Sequence, residues 1–133
     1  MKKTIILSVF LFQLFLTGCD VLGSNDNKTQ QEDLNELIAQ KEYILSLVAS
    51  ASCSENSQCE YVALGSKPCG GPWSYLVYPS TMDTKLLLEQ VTIYNLKEHQ
   101  YNQKWSIISD CMAVAPPTRV DCINNKCAAV YNN

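Results

Sequence analysis

The sequence predicts an α+β domain: a small antiparallel sheet with two helices packed on it, in the order α-β-β-α-β-β-β, stapled by three disulfides. Three observations predict it. Two long segments repeat apolar residues at three- and four-residue steps, and short β-forming runs bounded by Gly, Pro and Asn lie between and after them. Seven cysteines leave an even set for bridges once Cys19 has another role.

The first helix is expected over Glu32 to Ala51. Leu34, Leu37, Ile38, Ile44, Leu45, Val48 and Ala51 form one apolar stripe, and Ser50, Ser52 and Ser54 weaken helix beyond it. Glu60 to Leu64 alternates around Tyr61 and Val62 and reads as a strand. Trp73 to Tyr78, rich in aromatic and β-forming residues, reads as another strand, stopped by Pro79. A second helix fits Met82 to Trp105, capped by Ser80 or Thr81 with Asp83 in the first turn. Leu87, Val91, Tyr94, Tyr101 and Trp105 make its stripe and are assigned to the core. Ile107 to Ala115 reads as a third strand, ended by Pro116-Pro117. Arg119 to Ile123 and Cys127 to Tyr131 flank Asn124-Asn125, a two-residue turn that Asn permits because it tolerates positive φ.

Ahead of this domain, Met1-Lys2-Lys3 is basic and Thr4 to Leu16 is apolar, broken only by Gln13. That run is shorter than the roughly 20 residues a membrane-spanning helix needs and has the layout of a secretory leader. It ends in Leu16-Thr17-Gly18-Cys19, which resembles the lipobox of bacterial lipoproteins. The resemblance implies cleavage before Cys19, a diacylglycerol on its sulfur and an acylated amine (palmitate being a common acyl group). Residues 1–18 are then a signal peptide, 19–31 the lipidated cysteine and a polar tether, and 32–133 a single domain. The implied location is the bacterial cell envelope, anchored to a membrane and facing out of the cytoplasm. Extended, the tether reaches on the order of 40 Å from the lipid.

With Cys19 as a thioether, Cys53, Cys59, Cys69, Cys111, Cys122 and Cys127 remain in a compartment that permits disulfides. Six cysteines allow 15 pairings. The turn at Asn124-Asn125 sets Cys122 opposite Cys127 in a non-hydrogen-bonded pair, within disulfide reach. Nearness across a short loop favours Cys53–Cys59, and Cys69–Cys111 follows by elimination. No spacing is Cys-x-x-Cys, so neither a thiol oxidoreductase nor a zinc knuckle is expected, and no metal or other cofactor.

Lys2 and Lys3 leave with the leader, so the mature chain is more acidic than the formal −3 of the whole. That argues against nucleic acid as a partner. The lone His99 sits in the polar run Lys97-Glu98-His99-Gln100 and reads as a solvated helix-face residue. No catalytic constellation stands out, and the chain is not expected to be an enzyme.

The most distinctive segment is Gly65-Ser66-Lys67-Pro68-Cys69-Gly70-Gly71-Pro72-Trp73. It resembles a loop in small, uncharacterised cysteine-rich envelope proteins with a Gly-x-Lys-x-Cys-Gly-Gly-Pro pattern, which implies a shared fold and no activity. Read structurally, it connects two hairpin strands and Trp73 belongs to the core. Read functionally, it is a preorganised recognition loop in which Lys67, Gly70, Gly71 and Trp73 meet a partner, Trp73 as anchor and Lys67 as a charged contact. The expectation is a protein- or peptide-binding module held at the membrane by its lipid, a hydrolase inhibitor being the sharpest version. Size and address resemble the lipoprotein lysozyme inhibitors, whose motifs are not matched here. The alternative is a structural or assembly subunit of an envelope complex.

Overall fold

A computed structural model describes residues 27–132. The leader, Cys19 and residues 20–26 of the tether lie outside the described residues. The elements are α1 (Gln30–Ala49), a single 3₁₀ turn (Asn56–Gln58), β1 (Cys59–Leu64), β2 (Ser74–Pro79), α2 (Thr84–Lys104), β3 (Arg119–Ile123) and β4 (Lys126–Val130). β1 pairs with β2 and β3 with β4, both antiparallel, in two separate sheets. The α+β class and the three staples are as the sequence predicts. Among the described residues the strands number four in two sheets, where five in one were expected.

α1 begins within the segment read as tether. Thr29 accepts from the Glu32 amide, and the Glu32 carboxylate accepts from the Thr29 amide at 2.8 Å, a capping box that closes the first turn. The two bonds from Thr29 hold the Glu32 carboxyl below its ordinary range. At the other end the last carbonyls lack partners within the helix. Lys126 of β4 supplies one, its amine donating to Ala49 O at 2.7 Å and also to Ala51 O, just beyond the helix, at 2.8 Å. The start of α2 corrects the expected cap: Asp83, not Ser80 or Thr81, accepts from the Leu86 amide at 3.0 Å.

Leu37 and Ile44 of α1, Leu87, Val91 and Tyr94 of α2, and Leu64, Leu76 and Tyr78 of the first sheet form the core. Its stripe on α1 is narrower than the periodicity suggested, because Ile38 and Leu45 are exposed. On α2, Tyr101 packs at the core's edge. Trp105 is half-buried, donating from Nε1 to the Asp33 carboxylate at 2.9 Å. Lys104 donates to the same carboxylate at 2.7 Å, and these two bonds hold it below the usual carboxylate range. They tie the end of α2 to the start of α1.

Side chains alternate along β1, so Val62 and Leu64 face the helices while Cys59, Tyr61 and Ala63 leave on the opposite face. Cys59 there joins the β3–β4 hairpin, which rests against β1 and β2. The hairpin turns at Asn124 and Asn125, with φ of 51° and 61°, as two consecutive Asn allow.

Two of the three expected bridges are corrected. Cys122 and Cys127 are indeed cross-strand partners, but they are not bonded to each other. The bridges are Cys53–Cys122 and Cys59–Cys127, with Cα separations of 6.0 and 5.5 Å, together with the expected Cys69–Cys111. The physical reason is that the hairpin docks its cysteine-bearing face on the end of α1 and the start of β1. The Cys53 amide donates to Asn125 O at 3.1 Å, which brings Cys53 to the hairpin. In the chain-entropy model each bridge, closing a loop of 42 to 69 residues, contributes about 4 kcal/mol.

The expected third strand, Ile107 to Ala115, is not a strand. It runs out from α2 with Ile108 at 91% and Met112 at 75% exposure, paired with no other strand among the described residues. Its residues suit β structure, but β propensity expresses packing on a sheet, and this segment pairs with neither sheet.

Candidate functional site

The distinctive loop and the misread strand meet at one end of the molecule. Gly65 opens the loop with φ +89°, a conformation glycine reaches without a Cβ penalty. A Cβ there would stand 2.7 Å from Trp73 Cδ1 and 2.8 Å from Glu98 Oε2, so space as well as φ demands glycine. Three residues of α2 hold the backbone that follows. The Gly65 amide donates to Asn95 Oδ1 at 2.6 Å, the Ser66 amide to Glu98 Oε2 at 2.5 Å, and Asn102 Nδ2 to Ser66 O at 2.6 Å. Asn95, Glu98 and Asn102 recur at three and four residues along one face of the helix, beside its apolar stripe. Apolar periodicity does not reveal these three; polar residues repeating at helical spacing are the signal the sequence carries for them.

Lys67 is only 6% exposed, so it is not the surface contact the sequence suggested. Its amine donates to Asp110 Oδ1 at 2.9 Å and Met112 O at 2.8 Å, and lies 5.0 Å from the centre of the Trp73 ring. The Lys67 bond, then its charge, holds the Asp110 carboxyl below its ordinary range. A buried ammonium is retained because these partners replace water. The loop closes on itself, the Lys67 amide donating to Gly71 O at 2.8 Å and the Gly70 amide to Lys67 O at 2.9 Å. Gly70 and Gly71 have φ of +94° and +81° in open space, and both are exposed. Cys69–Cys111 adds a covalent link between the same two segments.

Trp73 is 40% exposed, neither core nor a free anchor. One ring edge lies against Gly65 and its face lies toward the Lys67 amine. Beyond it, Ile108 and Met112 flank Asp110 and stand largely in solvent. Neither is evident as a site residue from the sequence, because the expected strand would bury part of the segment. The result is an end of the domain where exposed apolar side chains are carried on backbone fixed by a bridge, a buried amine and three helix side chains. Such a surface can dock apolar groups with little ordering cost.

Tyr78 donates to Glu60 at 2.9 Å, and burial with this bond pushes its hydroxyl up to about 12. Tyr94 donates to Glu98 at 3.0 Å and is likewise raised by burial and the Glu98 charge. The first pair joins β1 to β2, and the second joins the core to the loop, since Glu98 also accepts from the Ser66 amide. His99 is exposed on α2. A polar cleft of about 520 Å³ lies elsewhere, lined by residues 50–54, Gln58, Thr81 and Met82. Among the described residues no helix is long and apolar enough to cross a membrane.

Comparison of the chain with protein-family models, curated proteins and solved structures returns no match in any of the three. The reading of function therefore rests on the chain itself.

Proposed function

We propose that the chain is an envelope lipoprotein, anchored through Cys19, whose domain is a non-enzymatic module that docks a protein or peptide at the end formed by residues 65–73 and 107–112. One observation carries the reading: Ile108 and Met112, 91% and 75% exposed, sit on backbone that Lys67 and the Cys69–Cys111 bridge hold in place. Apolar side chains left in water on a pinned frame fit recognition better than stability. Inhibition of an extracytoplasmic hydrolase is the sharpest form of this proposal, because a rigid protruding loop is what occludes a cleft.

The test is a pull-down with the oxidised domain, Ser24 to Asn133, from envelope extract and against a hydrolase panel. Ile108→Asp/Met112→Asp and Trp73→Ala versions run beside it. A stoichiometric partner lost in the double variant supports the reading. A partner kept in both variants moves the site elsewhere. The anchor is tested separately by palmitate labelling of cells, which Cys19→Ser should abolish.

A second reading, an assembly subunit of an envelope complex, draws on α2. Leu88, Ile93 and Leu96 are exposed at 38%, 37% and 56% on its outer side. It is favoured if Leu96→Asp releases the captured partner and Ile108→Asp/Met112→Asp does not.

A further inference from the structure

At the junction between β1 and the hairpin, two disulfides lie side by side. The Sγ atoms of Cys53, Cys59 and Cys127 all fall within 4.8 Å of one another, although the first belongs to one bridge and the other two to the second. Cys122, bonded to Cys53, is the cross-strand partner of Cys127. Its pair is the second from the Asn124-Asn125 turn, a non-hydrogen-bonded position whose Cα atoms approach to within disulfide reach. Cys53 and Cys59 are separated by a short, largely exposed loop. The same four sulfurs therefore support two pairings: the crossed one, which fastens the hairpin to the domain, and a local one, Cys53–Cys59 with Cys122–Cys127, which does not. No Cys-x-x-Cys spacing reports this, because the proximity is tertiary.

The 520 Å³ cleft adds access. Cys53 is part of its wall, with Ser50, Ser52, Ser54, Gln58 and Met82 around it. We infer that Cys53, Cys59, Cys122 and Cys127 form a disulfide-exchange centre for a dithiol that reaches Cys53 through this cleft.

The exchange balances as follows. A thiolate of the dithiol attacks Cys53 Sγ, the Cys53–Cys122 bond breaks, and Cys122 leaves as a thiolate that takes a proton. The second thiol of the reductant closes its own disulfide and expels Cys53 as a thiolate. That thiolate attacks Cys59 Sγ, within 4.8 Å of it, and the Cys59–Cys127 bond breaks. Cys127 leaves and is protonated. The dithiol has lost two electrons and two protons. The protein has gained them as thiols at Cys122 and Cys127, and carries one new bridge, Cys53–Cys59. Both covalent ties between the hairpin and the rest of the domain are then gone. What remains is non-covalent: the Asn125 carbonyl on the Cys53 amide, the Lys126 amine on the end of α1, and Asn56, which accepts from the Cys122 amide and donates to the Asp121 carboxylate.

The test treats the oxidised protein with substoichiometric reduced dithiothreitol, quenches with acidic N-ethylmaleimide, and maps label and bridges by peptide mass. Cys69–Cys111 is scored apart, so its reduction does not enter the reading. Among molecules with two of the four junction cysteines labelled, the label is expected on Cys122 and Cys127, with Cys53–Cys59 bridged. Label on Cys53 with Cys122, or on Cys59 with Cys127, would overturn the inference. So would passage from none to all four labelled with no two-thiol species between.

Discussion

The Lys67 amine lies 2.9 Å from the Asp110 carboxylate and joins two segments 43 residues apart in the chain. The amine is buried while the carboxylate is 63% exposed, so the charge pair itself contributes little. The bond to Met112 O and the approach of the amine to the Trp73 ring matter more. Lys67→Met keeps the stem and removes the donor. It is expected to cost about 1–2 kcal/mol in chemical denaturation. Amide hydrogen exchange should speed up selectively over residues 107–113. An unchanged exchange pattern there would mean that the bridge alone fixes the segment.

Gly65 and its two downstream glycines separate two costs. At Gly65 an alanine meets positive φ and also Trp73 and Glu98 at under 3.0 Å. Gly65→Ala is expected to lose about 2–3 kcal/mol and to shift the tryptophan emission. At Gly71 the neighbourhood is empty, so Gly71→Ala meets only the backbone penalty, about 1 kcal/mol. Equal losses at the two positions would contradict the close approach of Trp73 to Gly65.

Stability should fall at high pH through Tyr78. Its hydroxyl titrates near 10 in the unfolded chain and at about 12 in the folded one. Between those values the unfolded state has lost the proton and the folded state retains it, so rising pH favours unfolding. The contribution is complete below pH 10 and gone above 12, and Tyr94, raised in the same direction, adds to the decline. Denaturation midpoints measured across this window should drop, and Tyr78→Phe should flatten the drop. At the acid end Glu32, Asp33 and Asp110 act with the opposite sign. Their depressed values stabilise the fold above the ordinary carboxylate range, and that is lost as pH falls through it.

Local signals were legible in the sequence and tertiary ones were not. The helices of Leu37 and Leu87, the strands around Val62 and Leu76, and the Asn124-Asn125 turn follow from periodicity and turn chemistry, which involve near neighbours. The capping box of Thr29 and Glu32 was also written in the chain, hidden inside a polar stretch read as tether. The bridges were different. Opposition of Cys122 and Cys127 was correct, but their partners depend on which face the hairpin turns toward Cys53 and Cys59. The segment from Ile107 has the composition of a strand but is not one, because strand propensity carries no information about whether the segment is brought to a sheet. Within the site, the unusual φ of the loop was legible in its three glycines and two prolines, and Gly65, Gly70 and Gly71 all have positive φ. Lys67 was placed on the wrong side of the surface, because its partners Asp110 and Met112 are distant in sequence.

The central claim is that the end formed by residues 65–73 and 107–112 docks the partner. Hydrogen exchange of the domain alone and with the captured partner tests it most directly. The account predicts new protection at Ile108 to Met112 and Gly70 to Trp73, with little change along α2. Protection confined to Leu88 to Leu96, with residues 107–112 exchanging as freely as before, would contradict it.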